Sequence, residues 1–217
     1  MPIISFSGID GSGKGANIDL LVKLLLEHRL KTKCLSGRFG YTPLFLRLKF
    51  GLLNLCGEKK EGLGQFKSSN SLFKRRGVLW KFVSCLDYIL YYGIYARIFN
   101  VLGFFVVIDR YIIDLRVDLA LACDQQLPTD RIVIFLLKTV LPKPDLSFFL
   151  AINSSCSVRR SRKKNDPFKE EPKMIENRLK LYNELLSNEK VIDASQDLEN
   201  VSSRISSEVI TWRDSQR

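Results

Sequence analysis

The chain has 217 residues, which suits one domain with its own core, and its 46% hydrophobic and 26% charged content is that of an ordinary soluble globular protein. Thirty-four Lys and Arg against 23 Asp and Glu leave a formal +11, a balance that favours an anionic partner or simply a soluble surface around a basic site. The five cysteines (Cys34, Cys56, Cys85, Cys123 and Cys156) are odd in number and show no C-x-x-C spacing, which excludes a zinc or disulfide framework and reads as reduced thiols.

"MPIISFSG" has no charged n-region, so no signal peptide is expected and the chain reads as cytoplasmic. Its apolar part, Ile3 to Gly8, predicts a buried strand. "GIDGSGKGA" (residues 8–16) follows. Helical spacing then sets in at Ile18, Leu21, Leu24 and Leu25, and His28, the only histidine, falls at that helix's end. "TKCLSG" predicts a second strand. Residues 44–78 read as a short helix and a long basic connection, of the kind that is usually functional. A helix is expected over residues 79–102. The apolar stretch from Leu79 to Ile108 is broken by Lys81, Asp87 and Arg97, so no run reaches the ~18 uncharged residues of a spanning helix.

"FFVVIDRY" predicts a strand ending at Asp109-Arg110-Tyr111. A helix at about 129–141 precedes the strand "LSFFLAI". "CSVRRSRKKND" packs five basic residues into six positions. "EEPKMIENRLKLYNELL" predicts an amphipathic helix with Met174, Leu179, Tyr182, Leu185 and Leu186 on or near one face. "KVIDAS" is the last strand, and a helix closes the chain. Strands alternating with helices predict an α/β fold with a parallel sheet and helices on both faces, with ligands beyond the C-terminal strand ends.

The loop between the first strand and helix carries the chemistry. Gly8, Gly11 and Gly13 let successive N–H groups turn inward as an anion nest, and the helix starting near Lys14 adds its positive end. Lys14 is placed to reach the outer phosphates of a nucleotide. Strand-before and helix-after separates this loop from a chance match to G-x-x-x-x-G-K-[ST]. Gly8, Gly11, Ser12, Gly13, Lys14, Gly15 and Ala16 are therefore the expected nucleotide-binding residues. The hydroxyl that completes the motif is missing, with Gly15 in its place and Ala16 after it.

"ISFSGIDGSGKG", "VVIDRY", "PDLSFFLAINSSCSVRRSRKK" and "VIDASQDLENV", in this order and spacing, resemble the thymidylate kinase family of nucleoside monophosphate kinases over most of the chain, in a divergent branch. The resemblance implies a P-loop NTPase three-layer sandwich. About five parallel strands would run in the order 2-3-1-4-5 within a single domain, with residues 44–78 as an acceptor-side insertion and 157–172 as a short basic lid. It implies ATP and Mg²⁺ as donor and cofactor, with Asp109 holding the ion through water. Asp10 would face the acceptor's sugar hydroxyl, and Arg110 and Arg38 its phosphate. With Gly11 where some members carry an arginine, Arg160 or Arg162 of the lid would be catalytic; a solvated basic helix end is the other reading of that run.

Tyr88 stands where the family has a base-reading arginine, Asp114 replaces a serine, and Ala151 replaces a strand acid. Tyr88 and Asp114 are thus expected at the acceptor. The expected reaction is phosphoryl transfer from ATP to a small anionic acceptor, in the first instance dTMP to dTDP. The alternatives are a kinase for a sugar or glycan intermediate and a nucleotide-binding protein without catalysis. A homodimer through the helices flanking the third strand is left open. Nucleic acid and membrane surfaces are disfavoured partners. Adenylate and UMP-CMP kinases resemble the chain in having glycine after the lysine, so Gly15 alone need not abolish metal binding.

Overall fold

A computed structural model of the chain describes residues 1–37, 85–122, 128–163 and 172–216. Arg38, the 44–78 insertion, Cys56 and Cys123, the distal part of the basic segment and the side chain of Arg162 lie outside the described residues.

The chain alternates strands and helices: β1 (Ile3–Ser7), α1 (Lys14–Glu27), β2 (Thr32–Ser36), α2 (residues 85–101), β3 (Phe105–Asp109), α3 (Ile112–Ala122) and α4 (Pro128–Val140), then β4 (Leu146–Ala151), α5 (Ser154–Lys163), α6 (Pro172–Leu185), β5 (Lys190–Asp193) and α7 (Leu198–Ser215). All strand pairs are parallel, in the order β2-β3-β1-β4-β5. The expected strand count, order and direction are met. The central strand β1 is buried along its whole length, which explains its continuous apolar run. The edge strands β2 and β5 bury only Leu35 and Ile192, respectively.

Successive side chains point to opposite faces, so one strand feeds two cores. Ile4, Phe6 and Val107 pack with Leu21 and Leu25 of α1 and Val201, Ile205 and Val209 of α7. Ile3, Val106 and Ile108 pack with Tyr88, Tyr92 and Ala96 of α2 and Val133 and Leu137 of α4. Register aligns Phe6 with Asp109, Ser36 with Asp109 and Ala151 with Asp193, so the strands end together at one edge of the sheet.

Two helices stop in the same way. Beyond α1, Arg29 takes φ +57°, its N–H bonds Leu26, and Leu30 N–H bonds Leu25. Beyond α2, Gly103 takes φ +81° with the matching bonds from Gly103 to Asn100 and from Phe104 to Phe99. Both are the left-handed C-terminal motif that recaptures orphan carbonyls. Within α2, residues Ile89–Tyr95 form a π-helical stretch. From it the Tyr91 and Tyr92 hydroxyls donate to the carbonyls of Ser36 and Gly37, at 3.4 and 2.9 Å, and hold the end of β2.

Three details depart from the sequence reading. Helix α3 was not expected. It buries Ile113 and Val117 against one core and Leu115 and Leu119 against the other, so it shows no single apolar stripe. The basic run begins as helix α5. On α6 the buried face is Ile175, Arg178 and Tyr182, while Met174 is exposed. Among the described residues no helix is long and apolar enough to cross a membrane, and Cys34, Cys85 and Cys156 are free thiols.

Candidate functional site

The loop after β1 is shaped by glycine. Gly8, Gly11 and Gly13 have φ of +145°, +80° and +86°. At Gly8 a Cβ would also lie 2.8 Å from the Leu150 carbonyl oxygen, so both backbone angle and space demand glycine. Gly13 ends the loop as the left-handed N-cap of α1. Gly15 faces open space, with nothing within 4 Å of a Cβ placed there.

Lys14 folds back across the loop. Its Nζ donates to the carbonyls of Gly8 (2.7 Å) and Ile9 (2.9 Å) and lies 3.5 Å from Ser12 Oγ. Burial, with the nearby Arg110 cation, lowers its pKa to about 8 against the opposing pull of Asp114, Asp10 and Asp109. The ammonium is thus charged at neutral pH yet short of a full counter-charge, the state in which an incoming anion gains most.

β3 delivers two residues to the loop's flank. Asp109 accepts from Ser36 Oγ at 3.3 Å through Oδ2, while its Oδ1 is buried with no hydrogen-bond partner among the described residues. Arg110 sits at φ +68°, a conformation costing a side-chain-bearing residue roughly 1–2 kcal/mol. Its N–H bonds the Phe6 carbonyl at 2.9 Å, and its guanidinium forms an ion pair with Asp10. Burial works against the Arg110 charge, but Asp10 and Asp114 outweigh it and hold its pKa above the ordinary arginine range.

Helix α5 closes the other side. Asn153 Oδ1 caps it by accepting from Cys156 N–H at 2.9 Å. Ser157 Oγ donates to the Asp10 carbonyl at 2.6 Å, and Arg160 donates to the Ala194 carbonyl at 2.8 Å. These elements enclose a cavity of about 490 Å³. Its floor is residues 10–17, its flank is Asp109 and Arg110, and its far wall is Arg160 with Ala194, Gln196, Leu198 and Val201.

Of the expected residues, Asp10, Gly11, Ser12, Gly13, Lys14, Gly15, Ala16, Asp109, Arg110 and Arg160 meet at this cavity. Gly8 lies beneath it and shapes it. Asp10 and Arg110 are paired with each other, so a ligand anion at Arg110 competes with the Asp10 carboxylate.

Among the described residues, two further acceptor expectations lie away from this cavity. Tyr88 is 1% exposed, packed within the α2 core with its ring tilted against that of Tyr92 at a centroid distance of 4.4 Å, and burial raises its phenol pKa well above normal. Asp114 is 2% exposed and spent on protein donors: Ser7 Oγ (2.7 Å), Tyr182 Oη (2.6 Å), Tyr111 N–H (3.0 Å) and Gly8 N–H (3.5 Å). Neither lines the cavity.

Sequence reasoning missed Asn17, Ser157 and the part of the far wall formed by Ala194, Gln196, Leu198 and Val201. Asn17 holds Gly13's carbonyl at 3.0 Å through Nδ2, with Oδ1 buried and without a hydrogen-bond partner. The far wall follows directly on β5, and the rule that ligands gather beyond strand ends would have found it. Nothing local marks Ser157. Among the described residues no group of three or more His, Cys, Asp or Glu side chains could hold a metal. No family model matches the chain, and no curated protein matches it.

Proposed function

We propose that the chain is an ATP-dependent small-molecule kinase of the thymidylate kinase-like type, a P-loop enzyme that passes a phosphoryl group from ATP to a small anionic acceptor. The observation that carries the reading is one cavity holding a left-handed glycine loop, a buried lysine at a helix start and a buried, unpartnered Asp109 oxygen. Loop N–H groups and the positive end of α1 suit phosphate oxygens. Lys14 supplies the mobile cation, exchanging two carbonyls for an anion. The far wall suits a flat base, with apolar Leu198 and Val201 beside the Arg160 guanidinium.

Asp109 Oδ1 fits a magnesium ion carried by nucleotide phosphates and held through water. Such an ion, when bound, offsets phosphate charge. Gly15 and Ala16 offer it no hydroxyl, so Asp109 is the protein's contribution. In-line transfer needs positioning and charge more than covalent help. Arg110 orients the acceptor anion once it turns from Asp10, and the Asp10 carboxylate accepts from an acceptor hydroxyl.

A nucleoside monophosphate is the first acceptor to try. The burial of Tyr88 away from the cavity favours a second reading, a sugar or glycan-intermediate acceptor. The test is ADP release from ATP and Mg²⁺ against dTMP, other nucleoside monophosphates and sugars. Acceptor-dependent release with a monophosphate supports the first reading, and release with a sugar alone supports the second. Nucleotide binding with no release under any acceptor leaves a binding protein.

A further inference from the structure

The Asp114 carboxylate, displaced from the acceptor side, joins three parts of the molecule. Through Ser7 Oγ and Gly8 N–H it grips the junction where β1 becomes the glycine loop. Through Tyr111 N–H it caps the start of α3. Through Tyr182 Oη, at 2.6 Å, it grips α6, more than 60 residues away in the chain. Tyr182 is fully buried against Phe149 of β4. Burial, and then the Asp114 charge, raise the phenol's pKa well above normal, so it stays a donor. A second α6 contact lies one helical turn further along α3, where Arg178 pairs with Asp118 at 2.5 Å, and the Arg178 charge also acts on Tyr182.

We propose that Asp114 and Tyr182 form a buried relay through which α6 sets the shape of the glycine loop, making Tyr182 a positioning residue for phosphate binding. This rests on the kinase reading for its functional consequence, but not for its structural one. Gly8 is the hinge on which it acts. Its φ of +145° and the Leu150 carbonyl, 2.8 Å from where a Cβ would sit, leave room for glycine alone, and Asp114 accepts from its N–H. A carboxylate does what a serine in that place would not, because its two oxygens here accept from four donors where a hydroxyl offers two acceptor lone pairs. Ser157, bonding the Asp10 carbonyl from α5, is a second tie on the same loop.

The test compares Tyr182→Phe with Ile175→Ala, which loosens the packing of α6 and removes no polar partner of the relay. Amide hydrogen exchange of the unliganded proteins is read over residues 8–13, alongside ADP affinity and thermal midpoint. The relay requires faster loop exchange in Tyr182→Phe alone, with ADP affinity weakened about fivefold, while Ile175→Ala lowers the midpoint and leaves both readings at the wild-type value. Equal loop exchange in the two variants, or none in either, overturns the relay whatever the nucleotide result. Faster loop exchange in Tyr182→Phe in a protein that binds no nucleotide keeps the relay and rejects the kinase reading.

Discussion

The two flanks of the glycine loop use their polar groups in opposite ways. Facing the cavity, groups are left with capacity to spare. Asp109 Oδ1 and Asn17 Oδ1 have no hydrogen-bond partner among the described residues, and Lys14 is held by carbonyls rather than a carboxylate. Toward α2 and α3, groups are consumed. Asp114 accepts from four donors, Tyr88 is packed in the core, and Arg110 is paired with Asp10. Buried polar groups normally find partners, so those left wanting mark where a ligand completes the structure. Residue type alone would have placed Asp114 and Asp109 in the same class; hydrogen-bond saturation separates them.

The comparison can be broken most forcefully at Asp114. Asp114→Ala strands the Ser7, Tyr111 and Tyr182 donors in the interior and is expected to cost about 3–5 kcal/mol of stability, by the cost of breaking a buried charged network. Urea unfolding measures it, and a loss under 1 kcal/mol would mean the carboxylate is not spent internally. On the ligand flank, Lys14→Ala should weaken ADP binding about 100-fold, the worth of charge-assisted hydrogen bonds, with far less effect on unfolding.

A pH series sharpens the same point. Lys14 titrates near 8 in the folded chain and near its ordinary value when unfolded. Between pH 8 and 10.5 the unfolded state binds more protons, so this lysine's contribution to stability rises with pH there. Phosphate binding needs the charged form, so ADP affinity should fall by up to about tenfold per pH unit above 8. Isothermal titration across pH 7–10 reads the slope, and a flat profile removes Lys14 from the anion site. The smallest expected effect is at Gly15→Ser, which meets open space and restores a hydroxyl; ADP affinity should rise about threefold.

How far the sequence could be read follows from the same physics. The strands were legible because buried parallel strands are short apolar runs. The loop was legible because left-handed backbone selects glycine. Helix α3 was not, since Ile113 and Val117 face one core and Leu115 and Leu119 the other, which erases the helical stripe. The role of Asp114 was hidden because its partners Ser7 and Tyr182 come from β1 and α6, and only the folded chain brings them together. Tyr88 was matched by its position in the sequence, and position does not say which face of α2 a residue presents; its burial shows only in the folded chain.

Equilibrium binding of ADP to the unmodified chain and to Lys14→Ala, at neutral pH and moderate salt, tests the central claim most directly. The account predicts saturable binding of one ADP per chain with a submillimolar dissociation constant, lost in the variant. No binding by the unmodified chain at millimolar ADP, or equal binding by both proteins, would contradict it.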